Sequence, residues 1–386
     1  MRMTLAASTR YLRDYVAIPS VNPMGRSDLS ADIAGEARYA GQLREQLRGL
    51  GLDAELVGDP ARPSVVAEVR AAKGSPSLLV ASHLDTVPVD DMEIDPFDPR
   101  IDGDRLYGRG ACDTKAGMAA LVAALERVLA AGRLRRNVVV VGEADEEYAS
   151  VGVRDVMQHL GSKGRPDWVL ATEPTDLRPV TRHKGIAVAR LVAHGEACHS
   201  SNPGEGSNAI VTLSRAVLAM DELNRDLAGH ADPRLGPGTL SVNVAGGGQA
   251  LNIVPNEAWL LLDRRLLPGE DGETLRKELE ASLAAHGLTR VDIAACSVAK
   301  GPLGTPDDHP LLRSCQDALA RCGLSTEPAT AAFATDAGVL ESEESLPGIV
   351  MGPGSIAQAH TAREFVDLRQ VEKMTEFFVQ LLERPA

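Results

Sequence analysis

The segment NVVVVGEADEE, residues 137–147, constrains the chain more than any other. Its four valines read as a strand that is apolar on both faces, and such a strand needs both faces covered, as in a parallel or mixed sheet between helices. Yet Glu143, Asp145, Glu146 and Glu147 follow almost at once. Carboxylates crowded at the end of a core strand repel one another, resist desolvation and tend to take up protons. The segment therefore demands positive charge nearby or a loop open to water.

The rest of the chain repeats the first half of that pattern. Strand-like runs occur at SVVAEV (64–69), SLLVAS (77–82), DWVLATE (167–173) and PGIVMGPG (347–354). Between them, residues 30 to 50 place Leu43, Leu47 and Leu50 at helical spacing, with Gly51 as a stop. KAGMAALVAALERVLAAG reads as a long helix with Asp113 and Thr114 as cap candidates and Gly132 as its end. HPLLRSCQDALARCG and QVEKMTEFFVQLLE add two more helices. The alternation predicts an α/β fold, a mixed sheet with helices on both faces.

The texture changes after TEPTDLRP. KGIAVARLVAHGEA, GTLSVNVAGG and NEAWLLLDRRLL alternate apolar and polar residues, as half-exposed antiparallel strands do. With the helical stretches SNAIVTLSRAVLAMDEL and ETLRKELEASLAAHG, the order over 180–298 is β-α-β-β-α-β, a ferredoxin-like α+β unit. The expected organisation is an α/β domain over 1–179 and 299–386, interrupted by a smaller domain over 180–298. The small residues around 328–338 read as a loop.

A chain of 386 residues favours two domains. No apolar run approaches the ~18 residues of a membrane span, and MRMTLAASTR lacks the apolar core of a signal peptide. The net charge of −14 argues against a nucleic-acid or anionic-membrane partner and suits metal ions or cationic substrates. Cys112, Cys198, Cys296, Cys315 and Cys322 are odd in number and form no CxxC pair. Reduced thiols in a cytoplasm fit them, and thiolate zinc sites do not.

In open α/β sheets, ligands bind beyond the carboxyl ends of the strands. Those ends carry His83 and Asp85, Glu146 and Glu147, and Glu173, while Asp113 precedes the long helix and His360 follows the last strand. The set matches what two divalent cations held about 3.5–4 Å apart require: a bridging carboxylate and further nitrogen and oxygen ligands. Asp113 is the natural bridge, with His83, Glu147, Glu173 and His360 as terminal ligands. Their positive charge would neutralise the acids after the valines and lower the pKa of a water toward about 7. His83 and Asp85 lie two apart in an extended segment and face the same way, so Asp85 is placed to orient the imidazole. Glu146 and Glu147 are adjacent and point apart, one toward metal and the other toward the work of a general base.

Each residue taken alone has an ordinary reading: Asp113 as a helix cap, His83 as a hydrogen-bonded histidine, EADEE as a solvated turn, Glu173 as a strand end. Their arrival at one sheet edge sets those readings aside. His159, His183, His194, His230, His286 and His309 have no such context.

SHLDTVPV, GRGACDTKAG, EADEE, TEPT and GPGSIAQAHTAREFV together resemble the acetylornithine deacetylase, succinyl-diaminopimelate desuccinylase and aminoacylase family of zinc hydrolases, over nearly the whole chain. The resemblance implies a zinc-exopeptidase-like catalytic domain holding two Zn2+ per chain, with Co2+ or Mn2+ as substitutes. It implies His83, Asp113 and Glu173 on one ion and Asp113, Glu147 and His360 on the other, Glu146 as general base and Asp85 as the orienting carboxylate. The inserted unit becomes a lid and dimerisation domain. In GEACHSS, His199 would reach a partner subunit's active site, and in NIVPNEAWLLLDRR, Asn252 and Arg265 would hold the substrate carboxylate, with Arg264 an adjacent rival.

The expectation is a cytoplasmic, homodimeric two-zinc amidohydrolase acting on a small N-acyl amino acid. The tail GPGSIAQAHTAREFV points to the acetylornithine deacetylase branch, an activity of arginine biosynthesis. A desuccinylase, a broad aminoacylase, and a carboxypeptidase or dipeptidase are the rivals within the family. A metal- or amino-acid-binding protein without turnover is the rival outside it, and it would be expected to lack Glu146.

Overall fold

A computed structural model describes residues 5–71, 75–161 and 164–385; residues 1–4, on which the reading of the N-terminus partly rests, lie outside them. The first stretch of chain forms α1 (Ala7–Val16), α2 (Ala37–Gly49), β1 (Asp53–Val57), β2 (Ser64–Val69), β3 (Ser77–His83), β4 (Arg100–Asp102), β5 (Arg105–Tyr107), α3 (Lys115–Ala130), β6 (Asn137–Glu143), α4 (Val151–Gly161), β7 (Trp168–Ala171) and β8 (Val180–His183). The middle stretch forms β9 (Gly185–His194), α5 (Ala209–Leu227), the short pair β10 (Ala231–Asp232) and β11 (Gly236–Pro237), β12 (Thr239–Gly247), β13 (Glu257–Leu266), α6 (Gly272–Ala285), β14 (Val291–Lys300) and β15 (Leu303–Gly304). The last forms α7 (Pro310–Arg321), β16 (Ala329–Ala331), α8 (Asp336–Glu344), β17 (Gly348–Val350), β18 (Phe365–Asp367) and α9 (Leu368–Leu382).

The chain divides into two units. One runs to Thr181 and resumes over Thr305–Ala329 and from Thr335; the other takes Arg182–Gly304 and Thr330–Ala334.

In the first unit the strand order is β1-β2-β6-β3-β7-β17-β8. β3 runs parallel to both β6 and β7, and β17 parallel to β7, while β1 and β2 are antiparallel. The sheet is therefore mixed. Four adjacent strands, β6, β3, β7 and β17, share one direction and release their carboxyl ends along one edge. All seven residues of β6 are buried, as a strand covered on both faces requires. α3 is buried almost all round from Lys115 to Leu125, the signature of a core helix rather than a surface one. Leu12, Leu121, Leu125, Phe377 and Phe378 share its core.

Two glycines set how closely these elements meet. A side chain at Gly117 would collide with Thr172, and one at Gly352 would lie 2.6 Å from the Glu173 carbonyl oxygen. Their hydrogens let the first turn of α3 and the exit of β17 press against the end of β7.

Two local expectations change. α2 begins only at Ala37, because residues 33–35 bond to Val21 on either side, Val21 N–H to the Ile33 carbonyl at 2.9 Å and Gly35 N–H to the Val21 carbonyl at 2.9 Å. The segment around 328–338 is not a plain loop, since it holds β16 and opens α8.

The second unit is a four-stranded antiparallel sheet in the order β12-β13-β9-β14 with α5 and α6. Its chain order β9-α5-β12-β13-α6-β14 is the ferredoxin-like one. β13 alternates strictly, with Ala258, Leu260, Leu262, Arg264 and Leu266 buried, so its core face packs under Leu213, Met220, Leu275 and Leu279. Among the described residues no helix is long and apolar enough to cross a membrane.

Candidate metal centre and active site

β3 ends at His83, and its neighbour in register on β6 is Glu143. The His83 Nε2 lies 3.0 Å from Asp113 Oδ1 and 4.0 Å from Glu173 Oε2. The other oxygen of Asp113 is 3.1 Å from His360 Nε2, which is also 3.1 Å from Glu147 Oε1. Two sets of three ligand atoms result, His83–Asp113–Glu173 and Asp113–Glu147–His360, each with all atoms within 4.8 Å of one another. Two ligands at about 2 Å from one tetrahedral ion lie roughly 3.3 Å apart, so these separations fit a cation in each set. Asp113 belongs to both. The donor set, imidazole and carboxylate without thiolate, suits zinc and its divalent relatives.

The electrostatics point the same way. Burial alone would lower the His83 pKa, but Asp113, Asp85 and Glu173 outweigh it and hold the imidazole well above its ordinary value. Hydrogen bonds to Asp113 and Glu147 push His360 up to about 10. Burial would raise Asp113, yet the two imidazoles hold it well below the usual carboxylate range. Burial pushes Glu147 up to about 7. A pocket that draws protons onto both histidines is one short of positive charge.

Asp113 is not a helix cap. The cap position of α3 is Thr114, and no side chain caps it; the Thr114 hydroxyl donates to the Thr172 carbonyl at 2.6 Å. Asp113 is instead fixed through its backbone. Glu364 Oε1 accepts the amides of Cys112 and Asp113 at 2.8 and 3.0 Å, and Glu364 Oε2 accepts Arg109 Nη1 at 2.7 Å. Glu364 stands four residues beyond His360, so one buried carboxylate ties together the segments carrying both ligands. At the first residue of α3, Lys115 donates to the carbonyls of Tyr15 and Ile18 at 3.0 and 2.7 Å, and burial lowers its pKa to about 7.

Asp85 does more than the sequence suggests. The His83 Nδ1 donates to the Asp85 backbone carbonyl at 2.9 Å and sits 3.5 Å from its carboxylate. That carboxylate accepts the amides of Glu146 and Glu147 at 3.2 and 3.1 Å and the Asn22 amide at 2.7 Å. It orients the loop that carries the two glutamates at least as much as the ring.

The acids after the valines are accommodated one by one rather than by metal alone. Glu143 is buried, and desolvation together with Asp336 drives its pKa far up, which favours its neutral form. Asp145 pairs with Arg62 at 2.9 Å. Glu147 reaches His360, and Glu146 is buried beside it. Sequence reasoning missed Asn22, Glu36, Arg62, Arg109 and Glu364. Only the spacing of Glu364 from His360 offered a signal.

The remaining candidates belong to the second unit. His199 is exposed, its Nδ1 2.8 Å from the Ser201 hydroxyl, and Asn252 is exposed. Arg265 is half-buried with its Nε on Asp263 at 2.7 Å. Arg264 is fully buried and committed to Glu278 at 2.9 and 3.0 Å and to Glu270 at 3.0 Å. Of the two arginines, Arg265 is the one with accessible surface.

A parallel sheet edge that gathers two histidines and two glutamates around a shared aspartate defines a class of dinuclear metallohydrolase. The family model of peptidase family M20/M25/M40 matches residues 79–384, and the chain belongs to that family. The chain is 29% identical to the acetylornithine deacetylase of Proteus mirabilis, covering 99% of this chain and 98% of that protein. It superposes with a TM-score of 0.77 on the M20 family metallo-carboxypeptidase Sso-CP2 from Sulfolobus solfataricus, at 22% identity over 98% of this chain and 99% of that one. The Bacillus subtilis YXEP protein, a dinuclear metal binding peptidase, gives 0.69 at 16% identity, over 97% and 96% of the two chains.

Proposed function

We propose that the chain is a two-metal amidohydrolase that removes the acyl group from an N-acyl amino acid, with N-acetyl-L-ornithine as the preferred substrate. The observation that carries this reading is the pair of ligand sets joined at Asp113, with Glu146 held next to the ligand Glu147. Bound divalent cations would polarise the amide carbonyl and acidify the attacking water. The residues of the chain do the rest. His83, Asp113 and Glu173 would hold one cation and Asp113, Glu147 and His360 the other. Glu146 takes the proton from the water and delivers it to the leaving amine.

The assignment of His199 to the oxyanion of a partner subunit, and of Asn252 and Arg265 to the substrate carboxylate, belongs to the same reading. A guanidinium suits a carboxylate through paired charge-assisted hydrogen bonds. Homodimer formation, zinc as the native ion and a cytoplasmic setting complete it. The substrate is supported by the kinship with acetylornithine deacetylases and, weakly, by an acidic chain facing a cationic side chain.

The test is kcat/KM for N-acetylornithine, N-acetylmethionine, N-succinyl-diaminopimelate and a set of dipeptides on one zinc-loaded preparation. N-acetylornithine is expected to lead. A tenfold lead by the succinylated substrate or by a dipeptide would reassign the chain within its family, because a methylene alone discriminates by only about 1–3 kcal/mol. Mixing His199→Ala with Glu146→Gln chains should restore part of the activity if His199 acts across subunits.

A further inference from the structure

The turn that leads into Glu146 is held by a chain of polar contacts running outward to the surface. Asp145 has φ of 65°, in the left-handed region that aspartate tolerates but does not prefer. Its amide donates to Glu36 Oε1 at 3.2 Å. Its carboxylate accepts Asn22 Nδ2 at 3.0 Å and Arg62 Nη2 at 2.9 Å. The second proton of the Asn22 amide goes to Asp85 Oδ2 at 2.7 Å, and Asp85 in turn accepts the amides of Glu146 and Glu147. Arg62 closes the network by gripping Glu36 through Nε at 2.9 Å and Nη2 at 2.6 Å.

Two carboxylates, Glu36 and Asp145, thus share the single guanidinium of Arg62, and Asn22 links Asp145 to a third, Asp85. Glu36 and Asp145 are buried, while the Arg62 side chain keeps 26% of its surface in contact with solvent. The start of β2, two residues beyond Arg62, braces the turn at a second point, since Ser64 Oγ accepts the Ala144 amide at 3.1 Å. None of the side chains in this network is a candidate metal ligand. What the network fixes is the path of the backbone through 145–147. Without Arg62, two buried acids would face each other across the turn, and the cheapest relief is for Asp145 to swing out.

We propose that Arg62 is a positioning residue for the reaction: by clamping Asp145 in its left-handed turn it aims Glu146. The proposal rests on the reading of Glu146 as general base. Arg62 acts through Asp145, Asn22 and Asp85 rather than on substrate.

The test uses the zinc-loaded full chain with Arg62→Ala and Arg62→Lys, and Glu146→Gln as reference. Arg62→Ala should lose about 10–100-fold in kcat, the usual worth of an outer partner, with KM and zinc stoichiometry near wild type. Millimolar ethylguanidinium should restore several-fold of that loss and leave the wild type unchanged, because the vacated site opens to solvent. Arg62→Lys keeps the charge but not the fork that bridges both acids. It should melt like the wild type and still lose several-fold in kcat. In the metal-free chain, amide exchange across 144–148 should speed up in both variants, a readout independent of turnover. Wild-type kcat in both variants, or no recovery with ethylguanidinium, would overturn the role of Arg62 while leaving Glu146 as base if Glu146→Gln is inactive. An active Glu146→Gln would overturn the base and the Arg62 proposal together.

Discussion

The loop leaving β6 at Glu143 and the loop carrying His199 both present candidate catalytic side chains, and they are built in opposite ways. In the first, Glu143, Asp145 and Glu146 are buried, and Asp145 and the amides of 146 and 147 have specific partners in Arg62, Asn22 and Asp85. In the second, His199 is exposed, and the contacts described for its ring are with the hydroxyl and the amide of Ser201, two residues on. Buried polar groups carry a desolvation penalty unless they are paired, so the first loop must be held in one geometry by the protein itself. The second carries no such penalty, and its conformation is free to be set by whatever it meets. Metal chemistry needs the former arrangement, because ligands must be in place before the ion arrives.

The same contrast recurs within one dipeptide of the inserted unit. Arg264 is sealed between Glu270 and Glu278, whereas Arg265 lies on the other face of β13 with part of its surface open. Neighbours on a strand point to opposite faces, so one arginine is sealed in the unit and the other keeps part of its surface open.

The largest effect should come from Glu146→Gln, with kcat down about 10²–10⁴-fold and zinc retained. Atomic absorption and steady-state kinetics on the same sample check both halves. Loss of zinc from Glu146→Gln, with retention in Glu147→Gln, would reverse the two roles. Next, Arg264→Met should destabilise the chain by about 3–5 kcal/mol, since it leaves two acids without their cation. Arg265→Met should stay within about 0.5 kcal/mol of wild type, as surface changes do. Calorimetry comparing the two variants tests the contrast directly, and equal melting would break it.

Glu364→Gln should weaken zinc binding by about 10–100-fold, the typical worth of a group that orients a ligand. Competition with a chromophoric chelator measures it. An unchanged affinity would mean that the amides of Cys112 and Asp113 hold Asp113 without help. The smallest effect concerns pH. His360 titrates near 10 in the metal-free fold against about 6.5 when unfolded. Its pairing with Asp113 and Glu147 therefore stabilises the metal-free chain fully below about pH 6.5 and fades as pH rises through about 10. A cation must displace that proton, so zinc affinity should climb with pH, by up to about tenfold per unit for this one group, and binding should release protons. Calorimetry in buffers of different ionisation enthalpy would show it, and a flat profile would mean that His360 is not a ligand.

Much of this was legible in the sequence because it rests on local pattern. The valine run of β6 announces a covered strand, and the strand ends place His83, Glu147 and Glu173 along one edge. The alternation in β13 marks the half-exposed sheet of the inserted unit. What escaped is long-range pairing. Nothing in the sequence around Arg62 says that it meets Asp145, 83 positions on, and Asn22 looks like an ordinary loop residue. The sequence also led to one answer for all four acids after the valines. The fold gives several, because each oxygen meets a different neighbour.

Everything at this sheet edge turns on Asp113 joining two cation sites. Zinc titration of the chelator-stripped chain, read by calorimetry and elemental analysis, tests it most directly, with Asp113→Asn alongside. The wild type should take up two ions per chain, and Asp113→Asn should lose tight binding at both sites while keeping the fold. A wild-type chain that takes up no zinc, or an Asp113→Asn chain that still binds two ions as tightly, would contradict it.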